Sequence, residues 1–268
     1  MPLSAIEERR IEWLWKDRIP KDSLTLIEGD GGAGKSTIIS DICSRLSAGI
    51  RLPDDETDRY PLRILLLSEE DDPGSVLKPR YLVHKADMDL VLLGNKPVTL
   101  NKEGLREIRS LVLENGIDVV VIDPIVSSIG SKLDMNKAND VRSIMAPLVE
   151  MGKETGCTFI VVRHFNKCRD GLASHRGAGS VDFRNAARST LQVRSDPRSG
   201  FNYLIPEKSN YAVRAKALPF KIHNGLTQWG EPCDLSAQEF QSDQSEGRLG
   251  EAKEFLKIEL KDGPIRAK

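Results

Sequence analysis

The stretch "IEGDGGAGKSTIISDI", residues 27 to 42, decides the fold of this chain. Gly29 is followed by four residues and then by Gly34-Lys35-Ser36, which fills the P-loop template G-x-x-x-x-G-K-[ST]. The mainly apolar run before it predicts a short buried strand, and residues 36 to 46 carry apolar side chains at helical spacing. Strand, glycine loop and helix therefore follow in the order that phosphate binding requires. The alternative, a flexible glycine turn, does not explain these flanks.

The composition of the loop predicts how it would bind a nucleotide. Its glycines let consecutive backbone N–H groups point at one anion, and the helix N-terminus adds partial positive charge. Lys35 would reach the β- and γ-phosphates, and Ser36 would ligate Mg²⁺. ATP and Mg²⁺ are therefore the expected cofactors. The expected nucleotide-binding residues are Gly29, Gly31, Gly32, Ala33, Gly34, Lys35, Ser36 and Thr37.

Length and composition indicate a cytoplasmic protein with one large domain and a small appendage. The chain has 268 residues, 39% of them hydrophobic, and no apolar run approaches the roughly 18 residues of a membrane span. The N-terminus lacks the basic and then apolar layout of a signal peptide. Neither a zinc site nor a disulfide framework is expected, because the cysteines are far apart and form no C-x-x-C motif. They are Cys43, Cys157, Cys168 and Cys233.

Charge is separated along the chain. With 39 Lys and Arg against 40 Asp and Glu the net charge is −1, so nucleic-acid binding would need a local basic patch. Residues 163 to 194 provide one, with seven basic residues against two acids. The basic residues are Arg163, Lys167, Arg169, Arg176, Arg184, Arg188 and Arg194. Residues 54 to 58 ("DDETD") and 69 to 72 ("EEDD") are acidic.

Unbroken apolar runs alternate with segments of helical spacing, which predicts a parallel sheet covered by helices on both faces. The runs are at 64–67, 90–93, 119–122 and 159–162, and the helical segments at about 73–87, 102–115 and 137–155. Short, partly alternating runs at 191–193, 201–205, 218–222 and 226–229 predict antiparallel strands that finish the sheet. We expect an ATPase domain at 1–232, a polar linker at 233–247 and a C-terminal helix at 248–268.

The metal side of the site needs a second carboxylate, and Asp123 in "IDVVVIDP" provides it at the end of an apolar strand. The alternative is an Asp that opens a turn before Pro124. Many ATPases carry a catalytic glutamate where this chain has Pro124. We therefore expect the general base at Glu69 or Glu70, because adjacent parallel strands end at one crevice. Strand alternation turns one of them inward, and we favour Glu70; a surface acidic cluster is the alternative.

Six segments taken together resemble the RecA-like ATPase core, over roughly residues 10 to 225. They are "GDGGAGKST", "LLSEEDD", "VVVIDPIVS", "VVRHFNK", "HRGAGSVDFRNAARS" and "EKSNY". The resemblance is to the branch that contains RepA-type hexameric replicative helicases and related phage AAA-family ATPases. It implies an α/β fold, a RecA-like P-loop NTPase core with a mainly parallel twisted sheet, flanking helices and C-terminal antiparallel strands.

The resemblance also implies roles for individual residues. His164 would sense the γ-phosphate, and Arg188 and Lys208 would reach the nucleotide of a neighbouring subunit. The alternatives are a histidine that caps a strand end and two cations in intramolecular salt bridges. The loop at 165–178 corresponds to the loops that RecA-like hexamers present to DNA in their central channel. Lys167, Arg169 and Arg176 would then contact phosphates of single-stranded DNA, unless the loop is merely solvated.

Together these features predict an ATP-hydrolysing motor that works as a homo-oligomeric, hexameric ring on single-stranded DNA, with replication or recombination proteins as further partners and no membrane. A RecA-like ATPase that acts as a loader, recombination mediator or regulatory switch without unwinding is the alternative, because both use the same pocket. A small-molecule kinase would instead require a lid and an acceptor pocket. Two features depart from the family: Asp30 adds a carboxylate to the loop, and the chain gives only one helix where relatives continue into a helical DNA-binding domain.

Overall fold

Alternating strands and helices run through most of the chain. The computed structural model describes residues 1–8, 10–130, 133–165, 178–213 and 215–240. The strands are β1 (Trp13–Trp15), β2 (Ile19–Pro20), β3 (Leu24–Gly29), β4 (Ile64–Ser68), β5 (Val91–Leu93), β6 (Val119–Asp123), β7 (Thr158–His164), β8 (Ser189–Asp196), β9 (Phe201–Ser209), β10 (Leu218–His223) and β11 (Leu226–Trp229). The α-helices are α1 (Lys35–Ser47), α2 (Lys78–Val83), α3 (Lys102–Asn115), α4 (Ala138–Thr155) and α5 (Ala178–Ala186). Short 3₁₀ turns cover Leu3–Ala5 and Ile125–Ser128, and a π-helical turn covers Pro73–Leu77.

Nine strands form one sheet in the order β11-β10-β9-β8-β3-β7-β6-β4-β5. The pairs from β5 to β8 are parallel, whereas β9, β10 and β11 are antiparallel to their neighbours. The predicted fold class, a mainly parallel sheet with flanking helices and C-terminal antiparallel strands, is confirmed. The small antiparallel pair of β1 and β2 was not predicted, because two very short strands leave no periodicity to detect.

Helices on both faces bury the central strands, which explains their unbroken apolar sequence. On one face, α1 packs its Ile38, Ile42 and Leu46 against the sheet. On the other face, a second core cluster joins apolar residues of α3, α4 and α5 to alternate residues of the same strands. Strand β3 lies between β7 and β8, in the middle of the sheet, so the loop that follows it has a rigid base.

The segment predicted as one helix at 73–87 is shorter and less regular than expected. It begins as the π-helical turn, where the Asp72 carboxylate accepts a hydrogen bond from the Ser75 backbone N–H. Helix α2 then ends at Val83, and Lys85 adopts a left-handed φ of 60° that no helix can include. The apolar periodicity continues past this point in the sequence, so periodicity alone could not locate the helix end.

The predicted boundary at residue 232 does not coincide with the end of the packed chain. Cys233 forms an isolated antiparallel bridge with Ala217. Ala237 and Phe240 are buried, and the Phe240 ring lies 5.9 Å from that of Tyr203. The first part of the predicted linker thus packs on the antiparallel strands despite its polar composition. Residues 241–247 of that linker and the predicted helix at 248–268 lie outside the described residues.

The cysteines of the described residues are unpaired thiols. Cys43, Cys157 and Cys233 are free thiols, and burial raises the pKa of Cys43 and of Cys157 to about 12. Neither of these two buried thiols is therefore reactive at neutral pH. Cys168 lies outside the described residues. Among the helices that the structure describes, none has the length and apolar character needed to cross a bilayer.

Candidate active site

The P-loop leaves the C-terminal end of β3 and enters α1 through backbone geometry that glycine allows. Gly34, immediately before α1, has a left-handed φ of 87°. At Gly29 a side chain is excluded for a different reason: its Cβ would lie 2.3 Å from the Val193 carbonyl oxygen of β8. A Cβ at Gly31 or Gly32 would meet no atom within 4 Å. The loop is therefore packed at its base and open at its tip, which leaves room for an anion to approach the backbone.

Lys35 is buried at the base of this loop, and its ammonium group is held by the loop itself. Its Nζ donates hydrogen bonds to the backbone oxygens of Gly29, at 3.0 Å, and Asp30, at 2.7 Å. Burial lowers the pKa of Lys35, while the charges of Asp123, Asp30 and Glu70 act in the opposite direction. This cation therefore lies within electrostatic reach of three carboxylates that the sequence carries on different elements.

Asp123 ends β6, where the parallel register pairs it with Ser68 of the neighbouring strand. Its side chain is hydrogen-bonded to Ser36, the first residue after the P-loop lysine. Burial raises the pKa of Asp123, and this hydrogen bond and the nearby Lys35 partly offset that rise. Ser36 and Asp123, which the sequence predicts as the two metal-side residues, are thus in direct contact. An oxygen pair of this kind is what Mg²⁺ prefers.

The two candidate general bases lie in different surroundings. Both follow β4 and both are exposed. Glu70 lies on the P-loop side, because its charge acts on Lys35. Glu69 instead lines a separate depression with Gly94 and Lys96, beside β5. This geometry favours Glu70, and the choice between them stays a prediction.

Asp71 and Arg80 are a part of the site that the sequence analysis missed. Arg80 of α2 donates a hydrogen bond of 2.6 Å to the Asp71 carboxylate, and the charge of Asp71 raises the pKa of Asp123. Asp71 therefore lies near the metal-side carboxylate and is itself paired. The interpretation of the "EEDD" motif assigns a role only to its two glutamates. The signal available was an arginine nine residues downstream in a predicted helix, which is weak.

His164 ends β7 in register with Gly29, the first residue of the P-loop. The next residue, Phe165, donates its backbone N–H to the Gly29 carbonyl at 3.0 Å. His164 also lowers the pKa of Asp123, so the histidine lies within electrostatic range of the metal-side carboxylate. This location suits the predicted γ-phosphate sensor. A histidine that merely ends a strand stays the alternative, because β6 and β7 are neighbouring parallel strands whose ends lie side by side.

The basic stretch from 163 to 194 is only partly available to a nucleic acid. Arg163 and Arg184 form ion pairs with the fully buried carboxylate of Glu28, and Arg194 is itself 3% exposed. Burial lowers the pKa of Arg163, while Glu28 opposes this shift. The prediction that these three arginines belong to a basic patch for nucleic acid is wrong. Charge counting along the sequence detects neither the burial of Arg194 nor the distant buried acid that pairs with Arg163 and Arg184. The three residues predicted to contact DNA, Lys167, Arg169 and Arg176, lie outside the described residues.

Arg188 and Lys208 lie at the other end of β3, away from the P-loop of their own chain. The Arg188 backbone N–H donates to the Leu24 carbonyl at 3.0 Å, at the start of this strand. Gly29 lies five positions after Leu24, which is about 17 Å along a strand. The Lys208 Nζ donates to three backbone oxygens at the C-terminus of α5, those of Arg184, Asn185 and Ala187. Neither cation therefore contributes to the pocket of its own chain in this conformation.

Comparison with known proteins identifies the family of the chain. No curated protein matches the chain. Residues 3–170 match the family model described as the AAA domain, which covers more than half of the chain and includes the P-loop, Glu70, Asp123 and His164. The chain therefore belongs to the AAA domain family and is a nucleotide-binding P-loop ATPase.

Proposed function

We propose that this ATPase is a motor of the RepA-like helicase type, which works as an oligomeric ring on single-stranded DNA. The observation that supports this most is the separation between the P-loop pocket and the cations Arg188 and Lys208. Three carboxylates act on Lys35 in the pocket, while the Arg188 backbone and the Lys208 ammonium lie at the Leu24 end of β3, a strand that spans about 17 Å from Leu24 to Gly29. A phosphoryl-transfer site needs cations around the transferred phosphate. A second copy of the chain can supply them if its Arg188 end meets the P-loop end of the first.

The residues of one pocket divide the chemistry between them. The open space at Gly31 and Gly32 accepts the phosphates, and Lys35 can exchange its bonds to the loop carbonyls for bonds to phosphate oxygens. Ser36 and Asp123 have the oxygen donors to hold Mg²⁺, which when bound neutralises charge on the phosphates. Glu70 orients the attacking water and accepts its proton.

Arg188 and Lys208 complete the neighbouring pocket. Within the part of the chain that the structure describes, the Nε of Arg188 is buried without a hydrogen-bond partner. Arg188 lines a groove between α4 and α5 together with Arg142 and Lys153. This groove therefore carries three cations and one acid, Glu150. Such a surface suits the phosphates and carboxylates at a neighbour's P-loop edge. Head-to-tail contacts of this kind repeat around a ring when the rotation closes.

The proposed DNA contact rests on the sequence that follows β7. Arg163 and Arg184 are bonded to Glu28 and are not part of this contact. Residues 166–177 carry Lys167, Arg169 and Arg176 against the single acid Asp170. This segment starts directly after His164 and Phe165, whose backbone is tied to Gly29. A change at the γ-phosphate therefore has a short covalent path to the proposed DNA contact.

ATP turnover measured with and without single-stranded DNA tests the proposal. We expect DNA to stimulate turnover, and neutralising Lys167, Arg169 and Arg176 together should remove the stimulation. The slope of the logarithm of the DNA-binding constant against the logarithm of salt concentration should fall in magnitude by about 2, which is roughly 0.7 for each of three lost phosphate contacts. A strand-displacement assay on a forked duplex then separates a motor from a loader or switch, since only the motor unwinds. ATP turnover that does not change when single-stranded DNA is added would contradict the proposal.

A further inference from the structure

A buried carboxylate, Glu28, lies one residue before the P-loop and has no part in the chemistry described so far. It is the only charged residue of β3, and its side chain is fully buried. The parallel register aligns it with Arg163 of β7 on one side and Gln192 of β8 on the other. Three neighbouring strands thus carry a polar row across the sheet at the level where the P-loop begins.

Hydrogen bonds join this row to helix α5. The Glu28 carboxylate accepts bonds from Arg163 Nη2 at 3.2 Å, Arg184 Nε at 2.5 Å and Gln192 Nε2 at 3.3 Å. Charge-assisted bonds of this kind are roughly twice as strong as neutral ones. A buried ion pair is nevertheless often no more stable than apolar side chains of similar volume. Stability alone therefore does not account for a charged cluster in this place.

One end of the network reaches the P-loop. Arg194 donates through Nε and Nη2 to Gln192 Oε1, at 3.1 and 2.8 Å. The same guanidinium lies 3.8 Å from the Asp30 carboxylate of the P-loop and 4.3 Å from the centre of the Phe165 ring. The network therefore contacts both the nucleotide loop and the residue that follows His164.

The other end reaches the two cations proposed to act on a neighbour. The side chain of Arg184 bonds Glu28, while the backbone oxygen of Arg184 accepts a bond of 2.8 Å from Lys208 Nζ. Burial lowers the pKa of Lys208, and the charge of Arg188 lowers it further, so the two cations are close to each other. Two successive contacts through one residue thus join Glu28 to the Lys208 and Arg188 pair.

We infer that Glu28 is a positioning residue that holds α5, and through it Lys208 and Arg188, in a fixed relation to the P-loop of the same chain. Each subunit then presents its cations to a neighbour at a position set by its own nucleotide loop. The contact chain from Glu28 to Lys208 stands without the proposed function, whereas its catalytic consequence depends on that function.

Chemical labelling of Lys208 tests the contact chain directly. Glu28→Gln keeps the shape of the side chain and removes its charge, which weakens the bonds to both arginines. We expect the acylation rate of Lys208, measured by mass spectrometry on the full chain, to rise at least about threefold relative to the exposed Lys102. Arg184→Gln removes the bond between Arg184 and Glu28 by changing a partly exposed side chain, so it tests the same contact if Glu28→Gln fails to fold. It should raise the acylation rate of Lys208 by the same factor. Asp55→Asn is the matched control, since it removes another buried carboxylate paired with an arginine, Arg59.

Turnover separates positioning from a general structural effect. Glu28→Gln should bind ATP within about threefold of the parent and lose about tenfold or more of its turnover in assembled protein, as expected for a small misplacement of a catalytic group. In an Arg188→Ala background the same change should have no further effect, because the positioned group is gone. Additive losses in both backgrounds, or unchanged Lys208 labelling in both variants, would overturn the inference. If Arg188→Ala alone leaves turnover unchanged, the trans role fails instead, and the labelling still decides whether Glu28 positions α5.

Discussion

The two ends of strand β3 carry opposite charge. At the Gly29 end, the buried cation Lys35 lies near Asp123, Asp30 and Glu70, and the buried Arg194 lies 3.8 Å from Asp30. At the Leu24 end, the Lys208 ammonium is bonded to backbone oxygens, and the Arg188 Nε is buried without a hydrogen-bond partner among the described residues. Among these residues the Gly29 end therefore has more carboxylates than cations, and the Leu24 end has two cations away from the P-loop. This difference is the basis of our proposal that the complete site forms between two copies.

The largest effect is expected from removing the P-loop lysine at the Gly29 end. Lys35→Ala should lower ATP turnover by more than about 10³-fold, because Lys35 is the P-loop cation that would contact the β- and γ-phosphates. Steady-state ATPase measurements check this, with Lys102→Ala as the control for loss of an exposed lysine. Turnover near that of the parent protein would sink the assignment of the P-loop.

A smaller loss is expected at the general base. Glu70→Gln should retain nucleotide binding and lose about 10²-fold in turnover, the scale of general-base catalysis. Glu69→Gln is the matched control, since it makes the same change one residue away in a different depression. Single-turnover hydrolysis together with ATP binding separates chemistry from affinity. If Glu69→Gln is the inactive variant, the two side chains exchange roles.

The smallest effect concerns stability at the carboxylate end. Burial raises the pKa of Asp123, so the folded protein binds this proton more tightly than the unfolded chain does. Ionisation of Asp123 therefore costs stability as the pH rises through its folded pKa. In the absence of nucleotide and metal, Asp123→Asn should raise the free energy of unfolding by roughly 1 kcal/mol at neutral pH, the usual size of a single-site effect.

Urea unfolding of this variant and its parent at two pH values measures the effect. The advantage of Asp123→Asn should vanish near the ordinary Asp pKa of 3.8, where both folded proteins carry a neutral side chain at this position. Hydrolysis should be lost at every pH, because the metal-side carboxylate is gone. A variant that is less stable than its parent at neutral pH would show that the Asp123 charge is well compensated in the folded state.

The sequence predicted the parts of this site that are governed by local rules. The P-loop template fixed the turn into α1, and unbroken apolar runs located β4, β6 and β7 to within one or two residues. Parallel pairing then brought Ser36 to Asp123 and His164 to Gly29, as expected for strand ends that meet at one edge.

The rest depended on contacts between residues far apart in the sequence. Glu28 and Arg184 are separated by 156 positions, and nothing local marks an arginine of the basic stretch as the partner of a buried acid. Lys208 reaches the end of α5 only because β9 turns back beside β8. Charge counting along the chain therefore overstated the patch available to DNA, and only the sheet topology shows which arginines are internal.

Mixing two inactive variants tests most directly whether the complete site forms between copies. Arg188→Ala keeps an intact P-loop, and Lys35→Ala keeps intact cations at the other end of β3. Mixed assemblies contain interfaces that join an intact pocket to intact cations, and a cation supplied in trans contributes about 10³-fold or more to turnover. We predict that ATPase activity rises well above the sum of the two separate variants, with a maximum near equal amounts. Activity that stays at that sum, in samples shown by native mass spectrometry to contain mixed assemblies, would contradict the shared site.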